Sequence, residues 1–207
     1  MAKFKIGNVY PPDSYLLARC APAGFGLGGY CKQIDHWDKA TACGWYSTAN
    51  GSPTAATDST IWVGEVTADP LTGQITQTVK AQGKDATYEA VRHFFDSKWS
   101  PWEWKNPPME VGIEYRTTER YMGKPVYAKM VNAGAFPESG QRSFETGVAA
   151  TGIVRFYASI GYTSLPIAGN MEINTVHSNG KIALNMATNG GRISGNDVYA
   201  TLYYIMD

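Results

Sequence analysis

The chain has 207 residues, of which 17% are charged, and its 18 Lys and Arg residues balance its 18 Asp and Glu residues. A balanced charge gives no attraction to nucleic acid or to an anionic membrane surface, so we expect neither as a partner. The 22 glycines, the 11 prolines and the 13% aromatic content favour short strands joined by turns. We therefore expect an all-β protein with one short helix.

The start of the chain carries no membrane or secretion signal. No apolar run is long enough to cross a bilayer, which predicts that the protein does not insert into membranes. The first residues lack the apolar core of a secretory signal, and this predicts synthesis in a cytoplasm. Residues 1–19 contain Pro11-Pro12, and proline donates no ladder hydrogen bond, so we interpret this segment as an extended lead-in.

The glycine-rich run at residues 23–29 does not follow an apolar strand, which argues against a nucleotide site. The three cysteines, Cys20, Cys31 and Cys43, are about ten residues apart, whereas structural zinc sites use close pairs. With His36 they would supply four ligands, but the spacing favours small buried thiols. One disulfide after cell lysis stays open as an alternative. We expect neither a metal nor a cofactor.

A single short helix is predicted at residues 35–42. Asp35 is a suitable N-cap, no helix-breaking residue follows before Cys43, and Gly44 can end the helix. Two turns are too few to be stable alone. We therefore expect Trp37 and Ala40 to pack against a sheet.

Alternating apolar and polar residues predict the strands of the first half. A turn at residues 69–73 separates two of these strands, and Asp96-Ser97-Lys98 is typical of a hairpin. The predicted strands are residues 44–47, 60–66, 74–80, 87–95 and 99–105.

This order of elements resembles the pyocin-knob type of domain found in the tail fibers of phages and of phage-derived bacteriocins. The resemblance extends over residues 20–106, and its most specific part is the ending Trp99-Ser100-Pro101-Trp102. It implies a small knob-like β domain at residues 20–108.

The sequence after residue 108 is predicted to form a separate unit. Asn106-Pro107-Pro108 interrupts the strand pattern, and we expect residues 109–122 to be a linker. Alternation of apolar residues then predicts an antiparallel β-sandwich at residues 123–207. Its predicted strands are residues 126–131, 144–148, 153–159, 171–176, 181–186 and 198–205.

Residues 116–136 carry a second resemblance. The stretch Arg116-Thr-Thr-Glu-Arg-Tyr-Met-Gly-Lys-Pro-Val-Tyr-Ala-Lys-Met-Val-Asn-Ala-Gly-Ala-Phe136 is similar to the segment that opens the terminal head domain of many phage and prophage tail fibers. Such a fiber is a homotrimer that binds the host bacterial surface. The resemblance therefore implies a virion protein, assembled in the host cytoplasm, whose residues 123–207 bind a receptor. It does not distinguish a phage fiber from a bacteriocin fiber.

The receptor of such a fiber is most often a carbohydrate, which here would be lipopolysaccharide, capsule or a wall polymer. Loops on a rigid scaffold are the usual binding positions. Candidate receptor-binding residues, chosen for amide, guanidinium, carboxylate or aromatic groups, are Tyr162, His177, Asn179, Asn189, Arg192, Asn196 and Asp197. Trp99, Trp102 and Trp104 could stack on a sugar, but we favour a role in the core of the knob or in a subunit contact.

A hydrolytic role is the main alternative. None of the three histidines, His36, His93 and His177, lies beside a nucleophile motif. The carboxylates nearest in sequence are Glu110 with Glu114 and Glu65 with Asp69, but residues i and i+4 of a strand are about 13 Å apart, too far for either glycosidase mechanism. We expect no enzyme. A polysaccharide depolymerase or esterase, and a purely structural fiber segment, stay open as alternatives.

Overall fold

The computed structural model describes residues 31–48, 61–82, 88–160, 163–165, 171–178, 181–188 and 196–207. The chain forms two compact units, Met1–Trp102 and Glu103–Asp207. Nearly all of the described secondary structure is β-strand, which confirms the predicted fold class. The expected lead-in at residues 1–19 and the glycine-rich run at residues 23–29 lie outside the described residues.

The first unit contains one sheet. Its strands are β1 (Lys32–Gln33), β2 (Gly44–Thr48), β3 (Ile61–Ala68), β4 (Ile75–Gln82), β5 (Glu89–Phe95) and β6 (Lys98–Trp99). Strands β1 to β5 lie side by side in chain order, and β6 pairs with β5. Only β1 runs parallel to its neighbour among these described pairs. The predicted hairpin is confirmed, since Asp96 and Ser97 have φ angles of 49° and 60° between β5 and β6.

The core of the first unit is built on one face of this sheet. Trp37, Trp62, Val66 and Val79 are fully buried there. Gly64 on β3 leaves room for the Trp37 ring, because a Cβ atom at residue 64 would lie only 2.9 Å from that ring. Each of the two buried tryptophans removes roughly 150–250 Å² from water, more than a smaller side chain would.

The predicted helix is shorter and tighter than expected. Residues Trp37–Lys39 form a single 3₁₀ turn, and His36 rather than Asp35 caps it by accepting a hydrogen bond from the Asp38 amide. The buried Gln77 amide donates to the carbonyl oxygens of Trp37 and Ala40, at 2.8 and 2.7 Å. These carbonyls are thereby satisfied without further helical turns. The expectation that Trp37 and Ala40 face the interior is confirmed.

The second unit contains two sheets. Its strands are β7 (Glu103–Asn106), β8 (Glu114–Tyr121), β9 (Lys124–Ala135), β10 (Gly140–Ala149), β11 (Gly152–Ile160), β12 (Thr163–Leu165), β13 (Met171–Ser178), β14 (Lys181–Thr188) and β15 (Asp197–Ile205). The larger sheet has the order β7-β8-β9-β15-β11-β12, and the smaller has the order β10-β14-β13. Each of the six strands predicted for this half matches an observed strand.

Strand β8 occupies most of the segment that we expected to be a linker. Tyr115 and Thr117 are buried, whereas their charged neighbours Glu114 and Glu119 are exposed. One short buried stripe among charged residues is enough for a strand that pairs with β9. Residues 116–136 are therefore a hairpin, with a turn at Met122 and Gly123, where φ is 50° and 79°.

The two sheets of the second unit pack face to face around one apolar core. Strand β15 contributes Val198, Ala200, Leu202 and Tyr204, all fully buried, and β14 contributes Ile182, Leu184 and Met186 from the facing sheet. This alternation matches the sandwich predicted from the sequence. Strand β15 lies between β9 and β11, so the C-terminal strand is an interior strand of its sheet.

Candidate functional site

The seven candidate receptor-binding residues differ in what the structure describes of them. Asn196 and Asp197 stand at the start of β15 and are exposed. The backbone of His177 lies in β13, where it pairs with Ile182. Tyr162, Asn179, Asn189 and Arg192 lie outside the described residues.

The sandwich separates these candidates into two ends. Asp197 pairs with Ala135 at the end of β9, and Gly140, which begins β10, pairs with Thr188 at the end of β14. His177 pairs with Ile182, six residues before Thr188, which corresponds to about 20 Å along a strand. Asn196 and Asp197 therefore belong to one end of the sandwich, and the backbone of His177 lies near the other.

Asp197 is part of a bulge between β9 and β15. Pairing moves from Asn132–Tyr199 to Ala135–Asp197, which leaves one extra residue on β9. The Asn132 side chain fixes this bulge, because its carbonyl oxygen accepts a hydrogen bond from the Gly134 amide at 2.8 Å and its amide donates to Asp197 at 3.2 Å. Gly134 has φ of 71°, the left-handed conformation that glycine adopts without strain.

Arg142 reaches the same bulge from the facing sheet. Its Nη1 donates to the carbonyl oxygen of Ala135 at 2.8 Å, and its guanidinium lies 3.3 Å from where a Cβ atom of residue 134 would be. A larger residue at position 134 would thus displace Arg142. The sequence patterns gave no signal for Asn132 or Arg142, because their meeting depends on strand register.

The bulge at Asn132–Ala135 consequently holds an exposed carboxylate, Asp197, and an exposed guanidinium, Arg142. The carboxylate accepts hydrogen bonds and the guanidinium donates them, and both are held by side chains or backbone of neighbouring strands. Such a pair can bind the hydroxyl groups of a sugar. We call these residues, Asn132, Gly134, Arg142 and Asp197, the bulge site.

Three of the candidate catalytic histidines and carboxylates, His36, His93 and Asp69, have structural contacts. His36 caps the 3₁₀ turn, and the exposed His93 is 3.0 Å from the Thr76 hydroxyl. Asp69 accepts hydrogen bonds from Thr72 and from the Leu71 amide, which lowers its pKa and holds the turn between β3 and β4. Each of these three residues therefore has a structural contact with nearby residues or with a neighbouring strand.

Glu114 accepts a hydrogen bond from the hydroxyl of the buried Tyr204. Burial, and secondarily this hydrogen bond to a carboxylate, raise the pKa of Tyr204 well above its ordinary value. Glu114 is thus a partner of the core tyrosine of β15.

The tryptophans of the Trp99-Ser100-Pro101-Trp102 motif surround an arginine. The Arg92 guanidinium lies 4.2 Å from the Trp99 ring centroid and 4.4 Å from that of Trp102. Trp102 also packs edge-on against Trp37, with ring centroids 6.4 Å apart. The Trp99 and Trp102 side chains are half-buried, and these contacts support a structural role within the first unit. The subunit contact, the other half of the favoured interpretation, stays a prediction. In the second unit, Trp104 is buried and packs against Tyr115.

Neither of the two described cysteines is buried, contrary to the expectation of small buried thiols. Cys43 is exposed and its sulfur lies 3.2 Å from the amide nitrogen of Ala68, while Cys31 is half-buried. Cys20 lies outside the described residues. In the described ranges no group of three or more His, Cys, Asp or Glu side chains could hold a metal ion. No helix in the part of the chain that the structure describes is long and apolar enough to cross a membrane.

No protein-family model matches the chain, and no curated protein matches it. Solved structures of pyocin tail fibers are similar to it. An N-truncated R2-type pyocin tail fiber is 11% identical, with 85% of this chain and 99% of that chain covered and a TM-score of 0.29. The C-terminal part of the P. aeruginosa R1 pyocin fiber is 11% identical, with 85% and 69% covered and a TM-score of 0.28.

The C-terminal part of the P. aeruginosa R2 pyocin fiber is 10% identical, with 86% and 68% covered and a TM-score of 0.27. All three are tail fibers, the class of protein that the resemblance of residues 116–136 indicated.

Proposed function

We propose that the chain is the receptor-binding end of a phage or phage-derived tail fiber, and that it adheres to a bacterial surface carbohydrate without cleaving it. The observation that carries this proposal is the bulge site. A carboxylate acceptor and a guanidinium donor, Asp197 and Arg142, are exposed together at one end of a rigid sandwich. Rigid presentation of hydrogen-bonding groups lowers the entropy cost of binding a polar ligand.

The resemblance of residues 116–136 to the entry of a fiber head adds support. This stretch forms β8 and β9, and β9 continues into the bulge site at Asn132. The segment that is most similar to the tail-fiber family thus leads directly to the residues that we assign to receptor binding.

In the proposed fiber three copies assemble around one axis, in the host cytoplasm, and become part of a virion or bacteriocin particle. Three weak sites per fiber and several fibers per particle give a high effective concentration. Avidity then exceeds the affinity of each site by orders of magnitude. The surface polymer bound would be lipopolysaccharide, capsule or a wall polysaccharide.

Purified protein tests the proposal through its mass, its binding and its effect on polysaccharide. Light scattering gives the mass, labelled protein is mixed with a panel of bacterial strains, and chromatography gives the chain length of polysaccharide from a bound strain. A trimer that adsorbs to some strains and leaves the polysaccharide uncleaved supports the proposal. A trimer that binds no strain indicates a structural segment, and a protein that shortens the polysaccharide indicates a depolymerase.

The bulge site is tested by a pair of variants. The double variant Asp197→Asn, Arg142→Ala keeps the acceptor that Asn132 requires but removes the charge and the donor. We expect its adsorption to cells to weaken roughly tenfold or more, because each loss is multiplied over three copies. Glu145→Gln is the control, since Glu145 is an exposed residue of β10 beyond the bulge site. Unchanged adsorption of the double variant would remove the bulge site from the binding surface.

A further inference from the structure

The outer face of the larger sheet in the second unit carries a row of tyrosines. Val198, Ala200, Leu202 and Tyr204 are fully buried in the sandwich core. Because side chains alternate along a strand, Tyr199, Thr201 and Tyr203 of β15 point to the opposite face. Tyr199 remains 39% exposed, so this face is in contact with solvent.

The strand register places residues of β11 and β9 beside this row. On the β11 side, Ser159, Tyr157 and Arg155 lie opposite Tyr199, Thr201 and Tyr203. On the β9 side, Asn132 and Met130 lie opposite Tyr199 and Thr201. Residues directly opposite in an antiparallel pair share a face. Three tyrosines, Tyr157, Tyr199 and Tyr203, therefore form one strip, about 13 Å long from Tyr199 to Tyr203.

An ion pair fixes the orientation of the rings at one end of the strip. The Arg155 guanidinium lies 3.9 Å from the Tyr203 ring centroid and donates two hydrogen bonds to Glu119, at 2.7 and 2.6 Å. Tyr157 packs edge-on against Tyr203, with centroids 6.1 Å apart and an interplanar angle of 85°. Tyr157 is nevertheless 58% exposed, so its side chain contacts Tyr203 and is still accessible to a ligand.

The opposite end of the strip adjoins the bulge site. Asn132, which lies opposite Tyr199, is the residue that donates to Asp197. The strip is therefore bounded by the Arg155–Glu119 pair at one end and by the amide and carboxylate of the bulge site at the other. Exposed aromatic rings, those of Tyr157 and Tyr199, beside hydrogen-bonding groups match a pyranose, which has apolar C–H faces and a polar edge.

We infer that this strip, Tyr157, Tyr199 and Tyr203, is a binding platform for a neutral glycan, with Asn132 and Asp197 as its polar rim. The inference rests on the proposed function and adds to it the position and the charge class of the ligand. Neutrality follows from the charges of the described residues at the strip and its rim. Glu119 neutralises Arg155, the exposed carboxylate of Asp197 disfavours an acidic sugar, and Arg142 of the bulge site lies on the facing sheet and not on the strip.

The size of the strip also favours a glycan over a second protein. By strand spacing, the strip is two strands wide and five residues long, and it covers roughly 150 Å². A stable protein interface buries about 800 Å² on each partner. The strip is therefore too small to hold two copies of the chain together, whereas it accommodates a short run of sugar units.

The test uses the full chain and an array of purified bacterial polysaccharides, some neutral and some acidic. We expect the protein to bind a neutral polymer, and the signal to change less than about twofold between low and high salt because a neutral polymer carries no charge for salt to screen. Tyr157→Ala should weaken this binding roughly tenfold, whereas Tyr157→Trp should retain it, because a ring face is what the sugar contacts. Tyr121→Ala is the matched control, since Tyr121 is a 45% exposed tyrosine of β8 outside the strip.

The outcomes separate this inference from the proposed function. If the protein adsorbs to cells and Tyr157→Ala binds as well as the wild type, the platform is wrong and adhesion stands. Binding to acidic polymers alone, or loss of the trimer in Tyr157→Ala by light scattering, would also overturn the platform. If neither cells nor polysaccharides are bound, the proposed function itself is refuted. Thermal unfolding of each variant confirms that the fold is intact.

Discussion

Arg92 and Trp99 form a stacked pair in the first unit, with the guanidinium carbon 4.2 Å from the ring centroid. The same arginine donates to the buried Gln77 at 2.8 Å and to Asp38 at 2.6 Å. Gln77 in turn donates to the carbonyls of Trp37 and Ala40. One arginine thus joins the Trp99-Ser100-Pro101-Trp102 motif to the 3₁₀ turn, so the motif serves the core of this unit.

Replacing Arg92 should destabilise the first unit. In Arg92→Leu the buried Gln77 oxygen loses its donor and both tryptophans lose the cation, which we expect to cost about 2–4 kcal/mol of unfolding free energy. Urea unfolding followed by tryptophan fluorescence measures this. Lys39→Ala removes only the exposed ion pair with Asp35 and should leave the midpoint unchanged. Equal midpoints for Arg92→Leu and the wild type would contradict the role of Arg92.

Gly64 is needed because of what surrounds it. A Cβ atom there would lie 2.5 Å from the Thr78 carbonyl oxygen and 2.9 Å from the Trp37 ring. Since Thr78 belongs to the paired backbone of β4, we expect Gly64→Ala to cost about 3 kcal/mol, near the upper end for overpacking. Gly73→Ala is the comparison. Its Cβ would meet nothing within 4 Å, but φ is 71°, so only the strain of about 1 kcal/mol remains. A larger cost at position 73 would contradict this ranking.

Alkaline pH should weaken the second unit through Tyr204. Burial and the hydrogen bond to Glu114 raise the pKa of Tyr204 above its ordinary value of 10.0. The unfolded chain therefore releases this proton first, so the stability contribution is complete below about pH 10 and is lost as the pH rises further. Between pH 8 and pH 10.5, the urea midpoint of Tyr204→Phe should fall less than that of the wild type. Tyr121→Phe, at an exposed position, should behave like the wild type.

Acidic pH should also destabilise the second unit, through Glu119. The hydrogen bonds from Arg155 lower the pKa of Glu119 below its ordinary value of 4.5. Its contribution to stability is therefore present above that pH and is lost as the pH falls through the lower folded-state pKa. We expect Glu119→Gln to lose less stability than the wild type between pH 5 and pH 2.5, measured by thermal unfolding. The effect should be small because both side chains are partly exposed. Glu145→Gln, which touches no arginine in the described contacts, should retain the wild-type pH dependence.

The strands could be predicted because their alternation is local. Val198, Ala200, Leu202 and Tyr204 mark one buried face in the sequence, and the structure buries all four. Strand β8 could not be found this way, because its buried stripe is only Tyr115 and Thr117 within a charged segment. The prediction of a helix at residues 35–42 was wrong in its length for a different reason. The group that satisfies its carbonyls is Gln77, 40 residues away from Trp37, and no local pattern reports it.

The proposed binding surface was harder to predict than the fold. Asp197 was recognised by its chemistry, but Asn132 and Arg142 join it only through the register of β9 with β15 and the approach of β10. Tyr199 and Tyr203 follow from the alternation of β15, yet their neighbour Tyr157 is 42 residues before Tyr199 and reaches them through strand pairing. Sites built from several strands need that pairing before they can be seen.

Competition for adsorption tests the proposed adhesion to a carbohydrate most directly. Labelled protein is mixed with cells of a strain that it binds, in the presence of increasing amounts of polysaccharide purified from the same strain. We expect the polysaccharide to displace the protein completely, and protease treatment of the cells to have no effect. Adsorption that persists in excess polysaccharide, and that protease abolishes, would show a protein receptor and contradict the proposal.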